Sequence, residues 1–485
     1  MTLLTQMESW KTLEQKALHF SSEQKINSFQ PLFAANITLD YTTQRLIAST
    51  RHLLLQLASE CQLESMIEAL FSGEPVNTSE KKPALHTALR MPPKAPLCIS
   101  DHNIIPDIVA TQNKMRTLSE RIRSGEWLGY SNKPITNIIN IGIGGSQLGP
   151  EFCLHALAEQ TLSSLSYHFI SDMDPIAFNR ITKKLNPETT LFIISSKSFT
   201  TAETLYNLRK ALAWIKHPEA LERHFIAVTA YPERAKEFSI SNILPIWEWI
   251  GGRYSLCSAI NLITCIAVGF ELFAELLQGA HSMDEHFRNT PFLHNLPVHL
   301  ALLGIWNSNF LKIHQLLVLT YGHSLDYFTP YVQQLDMESN GKSIDKQGRA
   351  VNYTTGPTVW GGSGNKAQHS YYQFLCQGTH PIAVDLISVD TNHEIPVNHL
   401  CLAQKEVLSK GVYNSQEPNN TIPGNIPMNH LRLKDSTPKS LGALIALYEH
   451  KIYVQSVIWQ INAFDQPAVE SSKINEKKRS LHEYS

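Results

Sequence analysis

The stretch SSKSFTTAET, which directly follows the apolar run TTLFII, has the residue types of a phosphate-binding loop. Ser196, Lys197 and Ser198 place an ammonium group between two hydroxyls. Hydroxyls, an ammonium group and free backbone N–H groups at a helix start are the donors that a phosphate monoester needs. Thr200 and Glu203 have the spacing of a capping box, which predicts that a helix begins here. Ordinary capping beside a surface lysine is the alternative interpretation.

The glycine-rich stretch NIGIGGSQLGP also follows an apolar run and precedes an amphipathic one. Gly142, Gly144, Gly145 and Gly149 would let the backbone turn tightly and approach an anion at a helix N-terminus. The stretch is not the dinucleotide-binding fingerprint, because Gln147 stands where the third glycine is required, and it lacks the Gly-Lys-Ser/Thr of a P-loop. A plain tight turn is the alternative, but two loops of this kind favour a phosphorylated small molecule.

A single glutamate, Glu338, stands in the stretch QQLDMESNGKS, shortly before an Asn-Gly pair. A helix through this stretch would place Gln334 one turn earlier on the same face. Asn340 and Gly341 would then form a left-handed C-terminal cap, with the glutamate at a helix end beside a loop. Such a carboxylate is either a general base at the mouth of a site or a solvated charge paired with Lys342.

Three further side chains could take part in chemistry. Arg253 follows a glycine pair in EWIGGRYSL and would be either a fixed positive charge for an oxyanion or an interdomain ion-pair residue. His369 in GNKAQHSYYQF is a lone histidine, more often structural than catalytic, and Lys473 in FDQPAVESSK is a proton donor or a surface residue.

The sequence has no HExxH motif, no metal-type histidine spacing and no G-x-S-x-G motif. This set of groups suits proton transfer next to a carbonyl, which is isomerisation.

The elements that must position these residues alternate along the chain. From about residue 135, short apolar runs such as ITNIINI, SLSYHFI and TTLFIISS alternate with amphipathic stretches, and IHQLLVLTYG and HPIAVDLISV add a second set. The alternation predicts two α/β domains with parallel sheets covered by helices on both faces. Roughly the first 100 residues are predicted to be mostly helical. Ligands of such sheets lie beyond the carboxyl ends of the strands, where these loops are expected.

Composition limits the classes of partner. The chain has 485 residues, 43% of them hydrophobic and 17% charged, with a formal net charge of −2. This length requires more than one core, and the near-zero charge argues against a nucleic-acid or membrane-surface partner.

The cysteines and the apolar segments indicate a cytoplasmic protein. Seven scattered cysteines without a Cys-x-x-Cys pair are typical of reduced thiols. The N-terminal stretch lacks the pattern of a signal peptide. The most apolar stretch, LCSAINLITCIAVGFELFAELL, is interrupted by polar residues, so it is predicted to be a buried core helix and not a membrane span.

Seven motifs together resemble the glucose-6-phosphate isomerase (phosphoglucose isomerase) family: GIGGSQLGP, SSKSFTTAET, EWIGGRYSLCSAI, QQLDMESNGKS, QHSYYQFLCQGTHPI, LYEHKIYVQ and FDQPAVESSK. The resemblance extends from about residue 71 to Lys473. It implies an α/β fold of two three-layer αβα sandwich domains of the sugar-isomerase type, each with a mainly parallel sheet, plus helical N- and C-terminal extensions. The implied boundaries are 1–105 for a helical N-terminal part of the large domain, 106–268 for a small domain and 269–485 for the large domain with a C-terminal arm.

The resemblance also implies an aldose–ketose isomerase that interconverts glucose 6-phosphate and fructose 6-phosphate in glycolysis and gluconeogenesis. The reaction would consist of ring opening and proton transfer through a cis-enediol, with no cofactor and no metal ion. The partners implied are the sugar phosphate and a second copy of the chain, in a homodimer with sites at the subunit interface. Neither nucleic acid nor a membrane is expected.

Each candidate residue has a role by the same resemblance. Glu338 would move the proton between C1 and C2, and Arg253 would stabilise the charge of the intermediate. His369, reaching the site from the neighbouring subunit, would open the pyranose ring, with Lys473 close to the ring oxygen. The substrate would be bound by Gly145, Ser146, Ser196, Lys197, Ser198, Thr201, Gln334 and Gln466.

At four places the chain departs from the family pattern. Gln147 replaces an Asp, Leu335 a Gly, Asn365-Lys366-Ala367 a Thr-Asn-Gly, and Pro467-Ala468 a Trp-Gly. A replaced glycine is costly only where the backbone requires a positive φ. All the proposed proton-moving residues are present, so we predict a divergent but active enzyme. Two alternatives stay open: a Schiff-base enzyme that uses Lys473 or Lys197, and a sugar-phosphate sensor without turnover.

Overall fold

The computed structural model describes residues 2–20, 29–217, 220–390, 395–469 and 471. Its strands are β1 (Leu32–Ala34), β2 (Ile37–Asp40), β3 (Cys98–Ile99), β4 (His102–Asn103), β5 (Asn137–Ile141), β6 (Ser166–Ile170), β7 (Thr190–Ser195), β8 (Phe225–Thr229), β9 (Ile243–Pro245), β10 (Gln315–Tyr321), β11 (Thr358–Ser363), β12 (Ala383–Val389) and β13 (Met428–Leu433).

The helices of the described residues are α1 (Glu8–Leu18), α2 (Ala48–Glu60), α3 (Leu63–Ser72), α4 (Ile105–Arg123), α5 (Leu148–Ala156), α6 (Pro175–Thr182), α7 (Ala202–Ile215), α8 (Ala220–His224), α9 (Pro232–Lys236), α10 (Leu262–Val268), α11 (Phe270–Asn289), α12 (Leu296–Ile305), α13 (Phe328–Gln333), α14 (Gly364–Ala367), α15 (Tyr372–Gln377), α16 (Pro396–Lys410) and α17 (Pro438–Ile458). Two π-helical turns, Trp306–Phe310 and Gln334–Glu338, continue α12 and α13.

The strands form two main sheets. One has five strands in the order β6-β5-β7-β8-β9, and every neighbouring pair in it is parallel. The other has six strands in the order β1-β2-β13-β12-β10-β11. Strands β10 to β13 pair in parallel, and the β1–β2 hairpin adds two antiparallel strands at one edge. The predicted fold class, α/β with two mainly parallel sheets and helical additions, is confirmed.

The N-terminal part is less helical than predicted. The β1–β2 hairpin turns at Ala35 and Asn36, whose φ angles of 45° and 65° are left-handed. β2 then pairs with β13, which places Ile37 opposite Leu433. A short hairpin is marginal on its own and is stabilised by the sheet it joins, so its local sequence was a weak signal. The domain boundaries themselves stay a prediction.

Burial on both faces explains the apolar runs. All residues of β7, β8 and β12 are buried, as expected where helices cover both faces of a parallel sheet. The predicted strands IHQLLVLTYG and HPIAVDLISV contain β10 and β12. All residues of α17 except Lys439 are buried as well, and this helix packs along α11 and α12. The core of the large sheet is therefore built around α17.

The most apolar stretch forms two helices where one was predicted. α10 and α11 both contribute buried residues, but Gly269 lies between them with a φ of 90°. This φ is open to glycine and strained for other residues, so the glycine separates the two helices. No helix of the described part of the chain is long and apolar enough to cross a membrane.

Candidate active site

A cavity of about 590 Å³ lies where the loops after β5 and β7 meet the π-helical turn that follows α13. Its wall is formed by residues 77, 80, 82–84, 143–146, 195–198, 201, 203, 204, 231, 248, 249, 251–253, 334, 338, 464, 466 and 469. The residues predicted to bind substrate all line it, as do Arg253 and Glu338. Loops of the five-stranded sheet thus meet segments of the six-stranded sheet domain at one site, as expected at the carboxyl ends of parallel strands.

One part of the cavity wall is the uncapped start of α7. Thr201 is the N-cap residue, and its side chain makes no capping hydrogen bond. Its hydroxyl lies 3.3 Å from that of Ser196, which accepts a 3.1 Å bond from the Phe199 N–H. The predicted capping box of Thr200 and Glu203 is therefore wrong. Because no side chain caps it, the helix start has N–H groups available for an anion.

Lys197 lies beside this helix start and is held by the cavity wall. Its ammonium donates a 2.8 Å bond to the backbone carbonyl of Glu248, and burial lowers its pKa. The Glu248 carboxylate accepts bonds from Lys82 and from the Tyr231 hydroxyl. Motif reasoning missed these three residues. Lys82 and Glu248 are 166 residues apart, and the only signal was the place of Glu248 in the EWIGG motif.

The loop after β5 needs glycine for close packing. A Cβ on Gly145 would lie 2.1 Å from the carbonyl oxygen of Gly252, so the loop packs backbone to backbone against the segment that carries Arg253. Gly144 has a left-handed φ of 60°, and a Cβ there would lie 2.9 Å from Nε2 of Gln334. The loop therefore packs against both the segment of Arg253 and the π-helical turn of Glu338. These contacts favour a role in the site over a plain tight turn.

Glu338 lies on a π-helical turn, where a plain helix end was predicted. It is the last residue of this turn, and Nε2 of Gln334 donates a 3.0 Å bond to its Oε2. The predicted same-face arrangement of these two residues is confirmed. The Glu338 side chain is 22% exposed, so the carboxylate is open to a ligand while protein surrounds most of it. π-helical turns are frequent at functional sites.

The surroundings of Glu338 differ from the solvated-charge alternative. Neither Asn340 nor Gly341 has a left-handed φ, so the predicted C-terminal cap is wrong. The Lys342 ammonium, the expected partner of a solvated charge, instead pairs with the Asp465 carboxylate at 3.0 Å. The polar neighbours of the Glu338 carboxylate are therefore Gln334 and Arg253.

Arg253 is a buried cation next to the base candidate. Its Nη1 lies 3.6 Å from Oε2 of Glu338 and 3.0 Å from Oε1 of Gln466. Its Nε donates a 2.7 Å bond to the Ser339 hydroxyl, and Nη2 donates to the backbone carbonyls of Ala463 and Asp465. The residue is only 3% exposed. Bonds from all three nitrogens hold the guanidinium in place, so its charge stays beside Glu338 and the cavity.

The departures from the family pattern cause no backbone strain. Leu335, Ala367 and Ala468 are all absent from the non-glycine residues with positive φ in the described part of the chain. Leu335 is fully buried in the core and does not line the cavity. Gln147 also lies outside the cavity wall and donates a 3.0 Å bond to Glu151.

One predicted site residue is not brought to the cavity, and another lies outside the part of the chain that the structure describes. His369 is exposed, on the turn that follows α14, and is not part of the cavity wall. Lys473 lies outside the described residues. The described part of one chain therefore contributes the base candidate, the arginine and the phosphate-type loop, but not the histidine.

Among the described residues, His155, His323 and Asp326 form a group of metal-ligand type, with ligand atoms within 4.8 Å of one another. The Asp326 carboxylate lies 3.1 Å from Nδ1 of His323 and 2.9 Å from the ammonium of Lys366. Because the ammonium of Lys366 already pairs with this carboxylate, we interpret the group as an ion-paired cluster and not as a metal site. It lies outside the cavity that holds Glu338.

Known proteins resemble the chain over nearly its whole length. The family model Phosphoglucose isomerase matches residues 40–482. A glucose-6-phosphate isomerase of Legionella pneumophila (strain Lens) is 53% identical over 486 aligned positions, which cover 98% of this chain and 97% of the relative. One from Pseudomonas fluorescens (strain Pf0-1) is 44% identical, covering 93% and 86%. The crystal structure of a glucose-6-phosphate isomerase from Chlamydia trachomatis D/UW-3/Cx superposes with a TM-score of 0.91 at 30% identity, covering 100% of this chain and 97% of that one.

Proposed function

The chain belongs to the phosphoglucose isomerase family, and from that premise we propose that its cavity interconverts glucose 6-phosphate and fructose 6-phosphate, a step of glycolysis and gluconeogenesis. The observation that carries the proposal is the content of one cavity. It combines the uncapped start of α7 and Lys197 with the Glu338 carboxylate, 3.6 Å from the Arg253 guanidinium. If the phosphate binds at the start of α7, the sugar carbons extend through the cavity towards the Glu338 carboxylate.

The chemistry follows from these two charges. Glu338 takes the proton from C2 of the open-chain aldose, and the C2–H electrons form the C1–C2 double bond of the enediol. Negative charge develops on the oxygen that was the carbonyl, next to the guanidinium of Arg253. The proton of the O2 hydroxyl then passes to O1, the O2 electrons form the C2 carbonyl, and return of the proton from Glu338 to C1 gives the ketose. One carboxylate on one face of the sugar is sufficient for both transfers.

A coupled assay tests the proposal. Purified protein is given fructose 6-phosphate in the presence of a chelator, and glucose 6-phosphate is measured through its oxidation by an added dehydrogenase. We expect steady turnover that the chelator does not change. Binding of fructose 6-phosphate without turnover would favour the sugar-phosphate sensor instead.

One observation favours a second candidate, a Schiff-base enzyme acting on sugar phosphates. Burial lowers the pKa of Lys197, which is what a nucleophilic amine needs. Against this, its ammonium already donates to the Glu248 carbonyl beside the phosphate-type helix start. Borohydride added with substrate separates the two candidates, because only a Schiff base is trapped as a covalent adduct.

The phosphate-binding role predicts weaker substrate binding when its donors are removed. Lys197→Ala and Thr201→Ala should each raise KM by about 10- to 100-fold, since a hydrogen bond to a charged group contributes roughly 1.5–3 kcal/mol. Turnover should fall less, because these groups lie away from the reacting carbons. Steady-state kinetics measure both effects. Lys210→Ala is the matched control: it removes a lysine of α7 that lies outside the cavity wall, and it should leave KM unchanged.

We further propose that the catalytic unit is a homodimer in which His369 enters the cavity of the partner copy. The exposure of His369 and its place outside its own chain's cavity wall support this arrangement. Ring opening needs an acid–base group besides Glu338, and an exposed imidazole on a turn is suited to reach a neighbouring site. Lys473 is proposed to lie close to the ring oxygen.

His369→Ala should lose at least about 100-fold in turnover on cyclic substrate and much less on an analogue held in the open-chain form. Mixing His369→Ala with Glu338→Gln subunits should restore up to about a quarter of wild-type activity, because half of the dimers are mixed and each has one intact site. Mixing Glu338→Gln with Arg253→Lys is the control and should restore nothing, since both residues serve the same chain's cavity. Heterodimers that form without recovery would place His369 elsewhere.

We propose that the protein is cytoplasmic. Its seven cysteines are all free, and six of them are buried. Unpaired buried thiols are typical of a reducing compartment.

A further inference from the structure

The turn that carries Glu338 is fastened, on the side away from the cavity, by a buried ion pair. Asp336, two residues before the base, is fully buried, and its Oδ2 accepts a 2.6 Å bond from the ammonium of Lys451 on α17. Nδ2 of Asn340 lies 3.5 Å from Oδ1 of the same aspartate and donates a 3.2 Å bond to the carbonyl of Ile452. The chain is therefore bound to α17 just before and just after the base.

Lys451 has two buried carboxylates near it and pairs with Asp336. A second buried carboxylate, Asp385, lies near enough for the lysine to lower its pKa, against the larger raising effect of burial. That carboxylate already accepts bonds of 2.8 Å from Asn429 and 2.9 Å from the Tyr448 hydroxyl. Because Asp385 already has two donors, the Lys451 ammonium makes its 2.6 Å hydrogen bond with Asp336. Neither member of the pair lines the cavity, so any effect on the reaction passes through the turn.

The geometry of the turn depends on such an anchor. A π-helical turn contains one residue more than an α-helical turn and is seldom stable by its own propensity. If Gln334–Glu338 relaxed to an α-helix, the side chains beyond it would rotate by about 100°, the angle between successive residues. A rotation of that size would carry Glu338 away from Arg253, which lies 3.6 Å from it.

We propose that Lys451, acting through Asp336, is the positioning residue for the base. The ion pair holds the π-helical turn so that Oε2 of Glu338 faces Arg253 and the substrate carbons. This inference rests on the proposed isomerase function and adds to it a residue that contacts neither the substrate nor the reacting atoms.

The test removes both charges together, in the double variant Asp336→Asn/Lys451→Met. Loss of one partner alone leaves a buried unpaired charge and destabilises the fold whatever the role of the pair, whereas loss of both with similar side-chain size is often nearly neutral. We expect the double variant to keep a Tm close to that of the wild type. Its kcat should fall by about 10- to 100-fold, as for a base displaced by an ångström or so, while KM stays within about threefold because the phosphate loop is untouched.

A matched control is Asp40→Asn/Lys405→Met, which removes a 2.6 Å ion pair of the same residue types outside the cavity and should leave kcat unchanged. Asp336→Glu keeps both charges but makes the acidic side chain one methylene longer, so it should also lower kcat with little change in KM. If the double variant does not fold, Asp336→Glu alone tests whether the ion pair positions Glu338.

A double variant, or Asp336→Glu, with wild-type kcat would overturn the inference and leave the ion pair a purely stabilising one. A wild-type protein without any turnover would instead refute the proposed function, so the two failures are distinguishable.

Discussion

Glu338→Gln is expected to lower turnover by at least about a hundredfold, the lower range of what a positioned acid–base group contributes. The substitution keeps the size of the side chain, and its amide oxygen can still accept the 3.0 Å bond from Gln334. Arg253 stays in place because Ser339, Gln466 and two backbone carbonyls also hold it. Folding and KM should therefore change little. Steady-state kinetics and thermal unfolding of the same preparation measure these quantities.

A glutamate that does not line the cavity provides the control. Glu275→Gln on α11 makes the same chemical change at an exposed position and should keep full activity. Near-normal turnover of Glu338→Gln would contradict the role of base and return Glu338 to the solvated-charge alternative.

Isotope transfer gives a second, independent measure of the base. In deuterated water, part of the C2 proton of the substrate should reappear at C1 of the product, while the rest exchanges with solvent. A carboxylate that holds one proton between two carbons predicts this mixture. Complete intramolecular transfer without solvent label would indicate a hydride shift instead.

Arg253→Lys is expected to lower kcat by about 100- to 1,000-fold, which is the usual loss when one donor to a developing oxyanion is removed. Lysine keeps the charge but cannot reproduce a planar guanidinium that bonds Ser339, Gln466 and two backbone carbonyls at once. The Tm should fall as well, because buried carbonyls lose their donor. Kinetics with saturating substrate, together with thermal unfolding, separate the two effects.

Arg123→Lys is the matched control for this variant. Arg123 also donates to two backbone carbonyls, those of Ile266 at 2.8 Å and Ala267 at 2.6 Å, but it lies outside the cavity wall. It should lower the Tm without lowering kcat. An Arg253→Lys enzyme with kcat within about threefold of the wild type would show that the position supports the fold and not the transition state.

Where the sequence signal was local, structural expectation and outcome agree. The strands β10 and β12 follow from uninterrupted apolar runs, because both faces of a parallel sheet are buried. The loops after β5 and β7 followed from glycine and hydroxyl-rich stretches after such runs. Gln334 and Glu338 share a helix face at four-residue spacing, which holds in the π-helical turn as well.

Where a local pattern competed with packing, the prediction was wrong. Thr200 and Glu203 have capping-box spacing, but the N-cap is Thr201, whose hydroxyl turns to Ser196. Asn340-Gly341 suits a left-handed cap, but Asn340 is buried beside α17 and neither residue has a left-handed φ. At Thr201 the competing contact is five residues away in the same loop, and at Asn340 it is a contact with α17, 112 residues away.

By itself, the sequence determined the α/β class and the loops after strands. Through motifs that resemble a family, it also predicted which residues act as the base, the arginine and the phosphate-binding donors. Only the tertiary structure decided how they meet. Arg253 reaches Gln466 across 213 residues, Lys82 reaches Glu248 across 166, and Lys451 holds Asp336 across 115. Helix and strand preferences act within a few residues, whereas these contacts arise only when distant segments of the chain pack together. For Arg253 and for Lys451 with Asp336, burial also requires that each charge has a partner.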